Sequence, residues 1–530
     1  MSRHDIPRRH LAFTRLLYLP VMPANRRSPW AVSRRQVLTV GGTGLLAATA
    51  SATRAAARTR KGRAASGDGT PEQIHLTWGP DPATSVVVSW TSPGAATRPR
   101  VRIGQRLIEA EPRPYTDGLN GETAWTYHAR IDGLRPGATY AYAVDTVESF
   151  QPLFHLLNGD LCYANLNPAT QPEVWRDFGN NNQTSAANRP WMPCLGNHEV
   201  EFGNGAQGFT SYLTRYTLPD NRVPGFGGHW YSFRIGSVLF VSLDADDVVY
   251  QDAGAFVAGP AALTPAAGTG NPAIEPGTSF YIKGYSAGAQ TAWLERTLAA
   301  GRRDDSVDWI IVQMHQCACS SSATGNGSDL GIRQQWLPLF DRYEVDLVLN
   351  GHDHDYERSF PVRGADANVG HEVATGAVVN TLRPPPVTTT DNGVFDTSQG
   401  TVHLILGCGG TNANLDDYGV DTADRRQAKV FTQPNRPAAT STAGVFTRAG
   451  ADAVEDAIWS AKRDTSTGYG IAVFDVNPDP EDFGGHTSIT VTQYHALGAD
   501  PVNPTTGAKG APTPDYTEFE TFTLIRPRQA

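Results

Sequence analysis

In the stretch 345–354, VDLVLNGHDH, a short and largely apolar run is followed by a glycine, two histidines and the aspartate between them. A run of this length bounded by a glycine is typical of a buried strand in an α/β sheet that is covered on both faces. His352 and His354 follow the carboxyl end of the strand, where ligands bind in open α/β sheets. The stretch therefore predicts an α/β fold with a functional site at one edge of its sheet.

Three other apolar runs end in the same way, and their side chains can meet at that edge. Leu153–Leu157 is followed by Asn158-Gly159-Asp160 and Tyr163, Trp191–Leu195 by Gly196-Asn197-His198-Glu199, and Trp309–Met314 by His315. A mixed set of nitrogen and oxygen donors suits Fe, Zn or Mn and not calcium or a soft thiolate site. So many ligands require two metals, and a dinuclear centre about 3.5–4 Å across can clamp a phosphate ester and lower the pKa of a bound water. We expect metal-assisted hydrolysis of phosphate.

Each of these residues also has a structural interpretation. Asp160 could cap the following helix, Tyr163 could pack with its hydroxyl hydrogen-bonded, and His315 could be an ordinary core histidine. Asn197 could be a left-handed turn residue. The ordered set favours the metal interpretation, whereas other histidines without a motif are interpreted as structural, among them His155, His229 and His403.

The region before the metal-binding runs has a different pattern. From Pro71 to about Val144 short runs alternate polar and apolar residues, as in Ser85–Trp90 and Thr139–Val144, with Pro- and Gly-rich turns between them. This pattern predicts a β-sandwich, and Leu134–Tyr140 fits a tyrosine corner. The segment resembles a fibronectin type III module.

The later region has helices and loops between its strands. The strand Val238–Leu243 is predicted with those above, together with amphipathic helices over Ala287–Ala300 and Arg333–Tyr343. The Gly-, Pro- and Thr-rich stretches 252–278 and 364–400 are predicted loops.

The order Gly-Asp-x-x-Tyr, Gly-Asn-His-Glu, His, Gly-His-x-His resembles that of the calcineurin-like metallophosphoesterases. The tyrosine makes the chain similar to the purple acid phosphatases within them, and the resemblance extends from Pro71 to about Tyr494. It implies a four-layer α/β metallophosphoesterase sandwich over 151–530, preceded by an all-β sandwich similar to a fibronectin III module over 70–150.

The resemblance also implies roles for individual residues. Asp160 would bridge two metals, Tyr163 and His354 would bind Fe(III), and Asn197, His315 and His352 would hold a divalent Fe, Zn or Mn ion. His198 would contact the phosphate and protonate the leaving alkoxide. A metal-activated water would then attack a phosphate ester in line. Whether the substrate is a monoester or the enzyme is a phosphodiesterase stays open, as does the oligomeric state.

One ligand expected from the resemblance is absent. The family carries a further Gly-Asp motif at the end of a first strand upstream of Asp160, but only residues 145–152 separate the predicted sandwich from the next strand. A parallel connection needs about a dozen residues or more. Asp145 is the nearest carboxylate, and it lies at the wrong end of the lost helix. The first catalytic strand, its aspartate and the last sandwich strand are therefore predicted to be missing.

This loss leaves three interpretations of the protein's activity. The chain could descend from an intact enzyme by an internal deletion or a sequence error, or it could work with a weakened or single-metal site. It could also be a catalytically inactive, secreted relative that binds phosphate or a protein or carbohydrate partner.

Composition narrows the class of partner. The 530 residues are 40% hydrophobic and 18% charged, which is typical of a soluble globular protein with more than one domain. Residues 65–530 contain 31 basic and 52 acidic residues, a net charge of −21. Such an acidic chain argues against nucleic acid or an anionic membrane as its main partner.

Residues 1–64 are basic, unlike the rest of the chain, and contain 13 Lys and Arg residues and a single acidic residue. Ser33-Arg34-Arg35-Gln36-Val37-Leu38 precedes an apolar run that reaches about Ala50, which predicts a twin-arginine export signal and linker over 1–64. A basic disordered N-terminus is the alternative. The run is too short to span a membrane, so we expect a secreted or envelope-associated protein. The five cysteines lack a Cys-x-x-Cys pattern and predict core residues or at most two disulfides.

Overall fold

The computed structural model describes residues 71–136, 152–251, 284–409, 425–432, 453–496 and 516–528, apart from short gaps inside these ranges. It also describes short strands at 14–18, 421–422, 435–437 and 446–448. The predicted tyrosine corner, the Thr139–Val144 strand, Asp145, the loop 252–278 and the twin-arginine segment lie outside the described residues.

The strands are numbered in chain order. The N-terminal strand and the strands of the first domain are β1 (Thr14–Tyr18), β2 (Glu72–Trp78), β3 (Val86–Ser92), β4 (Arg100–Ile103), β5 (Arg106–Glu109), β6 (Glu111–Thr116) and β7 (Thr123–Ile131). The next strands are β8 (Phe154–Leu157), β9 (Trp191–Pro193), β10 (Tyr231–Ile235), β11 (Val238–Ser242), β12 (Trp309–Gln313), β13 (Ser328–Asp329), β14 (Leu347–Asn350) and β15 (Tyr356–Ser359). The remaining strands are β16 (Asp366–Ala367), β17 (His371–Glu372), β18 (Val378–Val379), β19 (Leu382–Arg383), β20 (Val394–Asp396), β21 (Val402–Leu406), β22 (Asp421–Thr422), β23 (Arg425–Phe431), β24 (Asn435–Pro437), β25 (Phe446–Arg448), β26 (Ala453–Asp456), β27 (Ser460–Arg463), β28 (Gly470–Asn477), β29 (His486–Ala496) and β30 (Tyr516–Pro527).

The helices are fewer and mostly short. They are α1 (Gln171–Ala186), α2 (Thr210–Arg215), α3 (Ala289–Arg303), α4 (Leu330–Gln335) and α5 (Leu337–Arg342), with 3₁₀ turns at Ala164–Leu166, Pro168–Thr170, Asn197–Glu199 and Ala245–Asp247. No helix among the described residues is both long and apolar enough to cross a membrane.

Two seven-stranded sheets form the larger domain. The first has the order β20-β30-β29-β28-β1-β8-β9, and the second has the order β10-β11-β12-β14-β21-β15-β27. Aromatic and aliphatic side chains of both sheets pack between them, including Phe154, Trp309 and Phe474. Burial of this apolar surface is the main term that holds the sheets together.

Helices cover the outer face of each sheet. Trp175 and Phe178 of α1 pack on the first sheet, while Trp293 of α3 and Phe340 of α5 pack on the second. Trp175 and Phe178 are three positions apart on α1, a spacing that places both side chains on one face of the helix. The result is the four-layer α/β sandwich that the sequence predicted.

The preceding domain is an all-β sandwich, also as predicted. A sheet of order β2-β3-β7-β6 faces the β4–β5 hairpin across a core that contains Trp90 and Tyr127. The domain is fastened to the larger one by long-range hydrogen bonds, including Thr77 Oγ1 to the Thr217 carbonyl at 2.6 Å and a two-point contact of the Arg176 guanidinium with Glu72.

Two local predictions were wrong. The single helix expected over Arg333–Tyr343 is broken at Trp336 into α4 and α5, because Pro338 has no N–H to continue the hydrogen-bond ladder. The expected loop 364–400 contains the short strands β16 to β20. The last of these, β20, pairs in parallel with β30 and contains the buried Phe395. A strand of three residues is too short to show an alternation of polar and apolar residues in the sequence.

One strand of the first sheet comes from an unexpected part of the chain. β1 lies between β8 and β28, parallel to β8 and antiparallel to β28. It belongs to the basic N-terminal region, upstream of the paired arginines. The first sheet thus includes a strand from the N-terminal region between two strands of the larger domain.

Candidate metal centre

The carboxyl ends of four strands meet at one edge of the two sheets. β8 and β9 come from the first sheet and β12 and β14 from the second. The Asn158 side chain ties the two sheets at this edge, because its Nδ2 donates to the Asn350 carbonyl at 2.8 Å. The loops that carry the predicted ligands therefore start from fixed points.

Four predicted ligands form one buried cluster. His315 Nε2 lies 2.9 Å from Asp160 Oδ2 and 3.2 Å from His352 Nδ1. His352 Nδ1 in turn lies 3.1 Å from Asn197 Oδ1. The ligand atoms of Asp160, His315 and His352 all lie within 4.8 Å of one another.

The hydrogen bonds on the far side of each imidazole fix its tautomer. His315 Nδ1 lies 2.5 Å from the Asn158 carbonyl, so it carries the proton and donates. His352 Nε2 lies 3.2 Å from Gln251 Oε1 and is likewise assigned as the donor. Each ring then directs the lone pair of its other nitrogen into the cluster. Two imidazole nitrogens, an amide oxygen and a carboxylate converge there, which is a donor set that a metal ion can satisfy together.

A second group of predicted residues lies beside this cluster. The Tyr163 hydroxyl is 3.1 Å from His354 Nε2, and the Tyr163 ring lies against the His198 ring with centroids 4.1 Å apart. His198 Nδ1 is 2.9 Å from Asn165 Oδ1, and its backbone N–H donates to Asp160 Oδ1 at 2.8 Å. Asp160 therefore contacts both groups of residues.

The loop backbones are strained at three of the positions that are predicted to bind metal. Asp160, Tyr163 and His352 have φ values of +55°, +56° and +65°, in a region that residues other than glycine rarely adopt. Such strain costs on the order of 1–3 kcal/mol per residue and concentrates at functional sites. These three conformations aim side chains that a relaxed turn would point elsewhere.

Glycines allow the loops to approach one another. A Cβ on Gly196 would lie 2.5 Å from the backbone nitrogen of Asp160, and one on Gly351 would lie 2.7 Å from the Asn158 carbonyl oxygen. Any larger residue at either position would push apart the strand ends that carry Asp160, Asn197 and His352.

The buried Glu199 carboxylate holds the Asp160 loop. It accepts hydrogen bonds from the backbone N–H groups of Asp160, Leu161 and Gly196, at 2.7, 2.6 and 2.9 Å. Burial and the nearby Asp160 charge raise the pKa of Glu199 to about 8, while the N–H donors oppose the shift. Glu199 positions the loop and does not face the cluster.

The charges of the cluster depend strongly on one another. Burial alone would raise the pKa of Asp160, but His315 and His198 hold it well below its usual range. Burial would lower the pKa of His315, yet the Asp160 carboxylate outweighs burial and raises it to about 9. A positive charge is thus stabilised at the centre of the cluster, where a metal ion would displace the proton.

All seven predicted site residues fall in this region. Asp160, Asn197, His315 and His352 share one cluster, and Tyr163, His354 and His198 lie next to it. His155 and His229 form hydrogen bonds with Ser185 and Tyr285 elsewhere, and His403 is buried within the second sheet. All five cysteines are buried thiols without disulfides, in line with their prediction as core residues.

Sequence reasoning missed three supporting residues. Gln251, 101 positions away in sequence, hydrogen-bonds to His352 and orients it. Asn165 orients His198, and Glu199 holds the Asp160 loop. Asn165 and Glu199 lie close enough to ligands in sequence to have been candidates. Gln251 carried no local signal.

The sequence directly after β1 offers no replacement for the aspartate that is predicted to be missing. Residues 19–40 contain no Asp, Glu, His or Cys, and Asp5 is the single acid of residues 1–64. Asp5 precedes β1, whereas the ligand-bearing edge lies past its carboxyl end, because β1 runs parallel to β8. β1 thus completes the sheet but provides no carboxylate to the site.

Comparisons with known proteins agree on one superfamily. Residues 71–156 match the purple acid phosphatase N-terminal domain, and residues 137–356 match the calcineurin-like phosphoesterase family. An uncharacterized protein of Mycobacterium tuberculosis is 34% identical, with 94% of this chain and 97% of that protein covered. The Fe(3+)-Zn(2+) purple acid phosphatase 12 of Arabidopsis thaliana is 23% identical, with 58% of this chain and 68% of that protein covered.

A solved structure shares the fold. Purple acid phosphatase PPD1 from yellow lupin (Lupinus luteus) seeds superposes with a TM-score of 0.50 at 15% sequence identity, with 87% of this chain and 75% of that chain covered. The likeness supports the arrangement of a β-rich domain followed by a four-layer sandwich.

Proposed function

The chain belongs to the purple acid phosphatases of the calcineurin-like phosphoesterase superfamily, and we propose that it hydrolyses phosphate esters with metal ions held around Asp160. The observation that carries the proposal is the set of lone pairs from Asp160, His315, His352 and Asn197 that face one another within hydrogen-bonding distance.

The residues present fit a metal centre. A metal-binding histidine normally donates its second N–H to a carbonyl or carboxylate. His315 does so to the Asn158 carbonyl and His352 to the Gln251 side chain. The donors are nitrogen and oxygen atoms without sulfur, which suits Fe, Zn or Mn. The metal ions would supply a Lewis acid for the phosphate oxygens and lower the pKa of a bound water.

The remaining residues of the site would protonate the leaving group and hold the metal ligands in place. His198 Nδ1 donates to Asn165 Oδ1, which leaves Nε2 facing the site, and in the imidazolium form Nε2 would carry the proton that passes to the leaving alkoxide. Its backbone N–H also fixes Asp160. Glu199 keeps the Asp160 loop in its left-handed conformation through three backbone hydrogen bonds.

We propose that the two metal positions differ in their affinity for a metal ion. The position next to Asn197, His315 and His352 retains every ligand that the family resemblance implies. The Fe(III) position keeps Asp160, Tyr163 and His354 but lacks the carboxylate of the absent strand motif. We expect weaker binding of the second ion and reduced turnover, with the divalent position filled first.

The absent carboxylate favours one alternative, an inactive relative that binds phosphate without hydrolysing it. Metal analysis and turnover separate the two. For the enzyme we expect at least one metal per chain by elemental analysis and hydrolysis of p-nitrophenyl phosphate or its bis-ester. We also expect a visible charge-transfer band that disappears in Tyr163→Phe. Metal-free protein that binds inorganic phosphate without turnover would reject the enzymatic proposal.

We also propose export through the twin-arginine signal, supported by the paired arginines at 34 and 35 and the apolar run behind them. Fractionation of cells that express the wild type and Arg34→Lys/Arg35→Lys provides the test. Equal amounts of both proteins outside the cytoplasm would argue against a twin-arginine signal.

A further inference from the structure

The central sheet contains a position that the α/β domain does not fill from its own part of the chain. β28 pairs with β29 on one side and β8 pairs with β9 on the other, and β1 alone lies between them. Without β1, the first sheet would divide into a four-stranded and a two-stranded part. The division would fall beside β8, three residues before Asp160.

β1 is paired along both of its edges. Thr14 to Leu17 are matched with Val476 to Val473 of β28, and Leu16 to Tyr18 are matched with Phe154 to Leu156 of β8. A strand hydrogen-bonded on both sides is a central strand, and the unpaired groups left by its removal would be buried.

The neighbours of β1 define what kind of peptide fits. Leu16 is in register with Phe154 and Phe474, which lie in the core between the two sheets and are fully buried. Leu17 is in register with His155 and Val473, whose side chains are buried on the opposite face. A strand position covered on both faces requires consecutive apolar residues. The sequence of β1 supplies three of them, Leu16-Leu17-Tyr18.

We propose that the gap between β8 and β28 is a binding site for an extended apolar peptide and that residues 14–18 of the leader are its occupant. The same N-terminal segment would then have two uses, as an export leader and as a strand that completes the sheet. Cleavage after about Ala50 would turn this strand into a separate peptide bound without a covalent link.

The proposal predicts that the leader stays attached after the chain is cut. The test uses the full-length protein with Arg34→Lys/Arg35→Lys, which retains the leader, and a specific protease sequence inserted after Ala57. After cleavage we expect the leader fragment to elute with the body of the protein in gel filtration. We expect an unlabelled peptide of residues 10–22 to displace it, and the same peptide with Leu17→Pro to fail. A leader that separates at once under native conditions would overturn the proposal.

Two further measurements keep the test independent of how well variants fold. In the uncut protein, hydrogen exchange at the amides of residues 15–18 should be at least 100-fold slower than in an unstructured peptide. Leu17→Pro should lower Tm by 5 °C or more, whereas Leu45→Pro, in the leader but outside β1, should leave Tm unchanged. Fast exchange at 15–18, or equal Tm values for both variants, would contradict the assignment. None of these readouts depends on metal or turnover, so their failure is separate from failure of the proposed phosphatase function.

Discussion

Asp160→Asn separates the metal-binding role of Asp160 from its structural role. The carboxylate accepts the His198 N–H through Oδ1 and faces His315 Nε2 through Oδ2. An asparagine can reproduce both contacts, because its Oδ1 still accepts and its Nδ2 can donate to a neutral His315. Above about pH 9, where His315 is neutral in the wild type as well, we therefore expect the free energy of unfolding of metal-free protein to change by less than about 1 kcal/mol.

The effect on metal binding should be far larger. In a site with an effective dielectric of about 20, a unit charge about 3 Å from a carboxylate gains about 5 kcal/mol of Coulomb energy. Spreading of charge over two oxygens and ligand relaxation reduce this to about 3–4 kcal/mol, or on the order of 10²–10³ in affinity. Turnover should fall by at least the same factor.

The assay compares wild type, Asp160→Asn and Asp132→Asn, an exposed control paired only with Arg130 at the surface. Each protein is measured for metal content, p-nitrophenyl phosphate hydrolysis and thermal unfolding with and without metal. We expect Asp132→Asn to match wild type throughout. An Asp160→Asn protein with full metal content and full turnover would refute the role assigned to the carboxylate.

Three further substitutions test the supporting structure. Glu199→Gln places an amide N–H against backbone donors, so metal affinity should fall about 10–100-fold; an unchanged dissociation constant by competition titration would contradict the positioning role. Gly407→Ala places a Cβ 1.8 Å from the Asp353 carbonyl oxygen and should cost about 1–3 kcal/mol in denaturant unfolding, whereas Gly227→Ala, with open space, should cost little; equal costs would show that the loop relaxes freely. Burial raises the pKa of Glu201 from 4.5 to about 7, so its proton stabilises the fold below pH 4.5 and this stabilisation is lost as the pH rises to about 7. As the pH rises from 4.5 to 7, the free energy of unfolding of Glu201→Gln should therefore increase by about 3 kcal/mol relative to that of the wild type. Stability profiles of the two proteins that run parallel across this pH range would contradict the prediction.

Much of the site could be predicted because its information is local. Each run of ligands follows an apolar stretch, and three of the four stretches are followed by a glycine turn that is visible within about ten residues. β12 and β14 are found within two residues of their predicted ends. The convergence of their ligands follows from the rule that ligands bind at the carboxyl ends of strands.

What could not be predicted depends on distant parts of the chain. Gln251 reaches His352 from a segment whose sequence shows only that it is polar. β1 is a five-residue strand, Thr14-Arg15-Leu16-Leu17-Tyr18, inside a basic leader, and its three consecutive apolar or aromatic residues are too few to predict a strand. Its place in the sheet is set by β8 and β28, which lie more than 100 and 400 residues away in sequence.

The proposed loss of one carboxylate implies an order in which the metal ions bind. The cluster of Asp160, His315, His352 and Asn197 already stabilises a positive charge, since the Asp160 carboxylate raises the pKa of His315 to about 9. A divalent ion needs only to replace that proton. The neighbouring position must instead place a trivalent ion against a phenol and an imidazole that lie 3.1 Å apart, with Asp160 as the one carboxylate. With one negative group fewer, this second position loses Coulomb energy that its remaining donors do not restore. The protein should therefore fill the divalent position first, and its colour should appear only at higher iron concentration than its first bound metal.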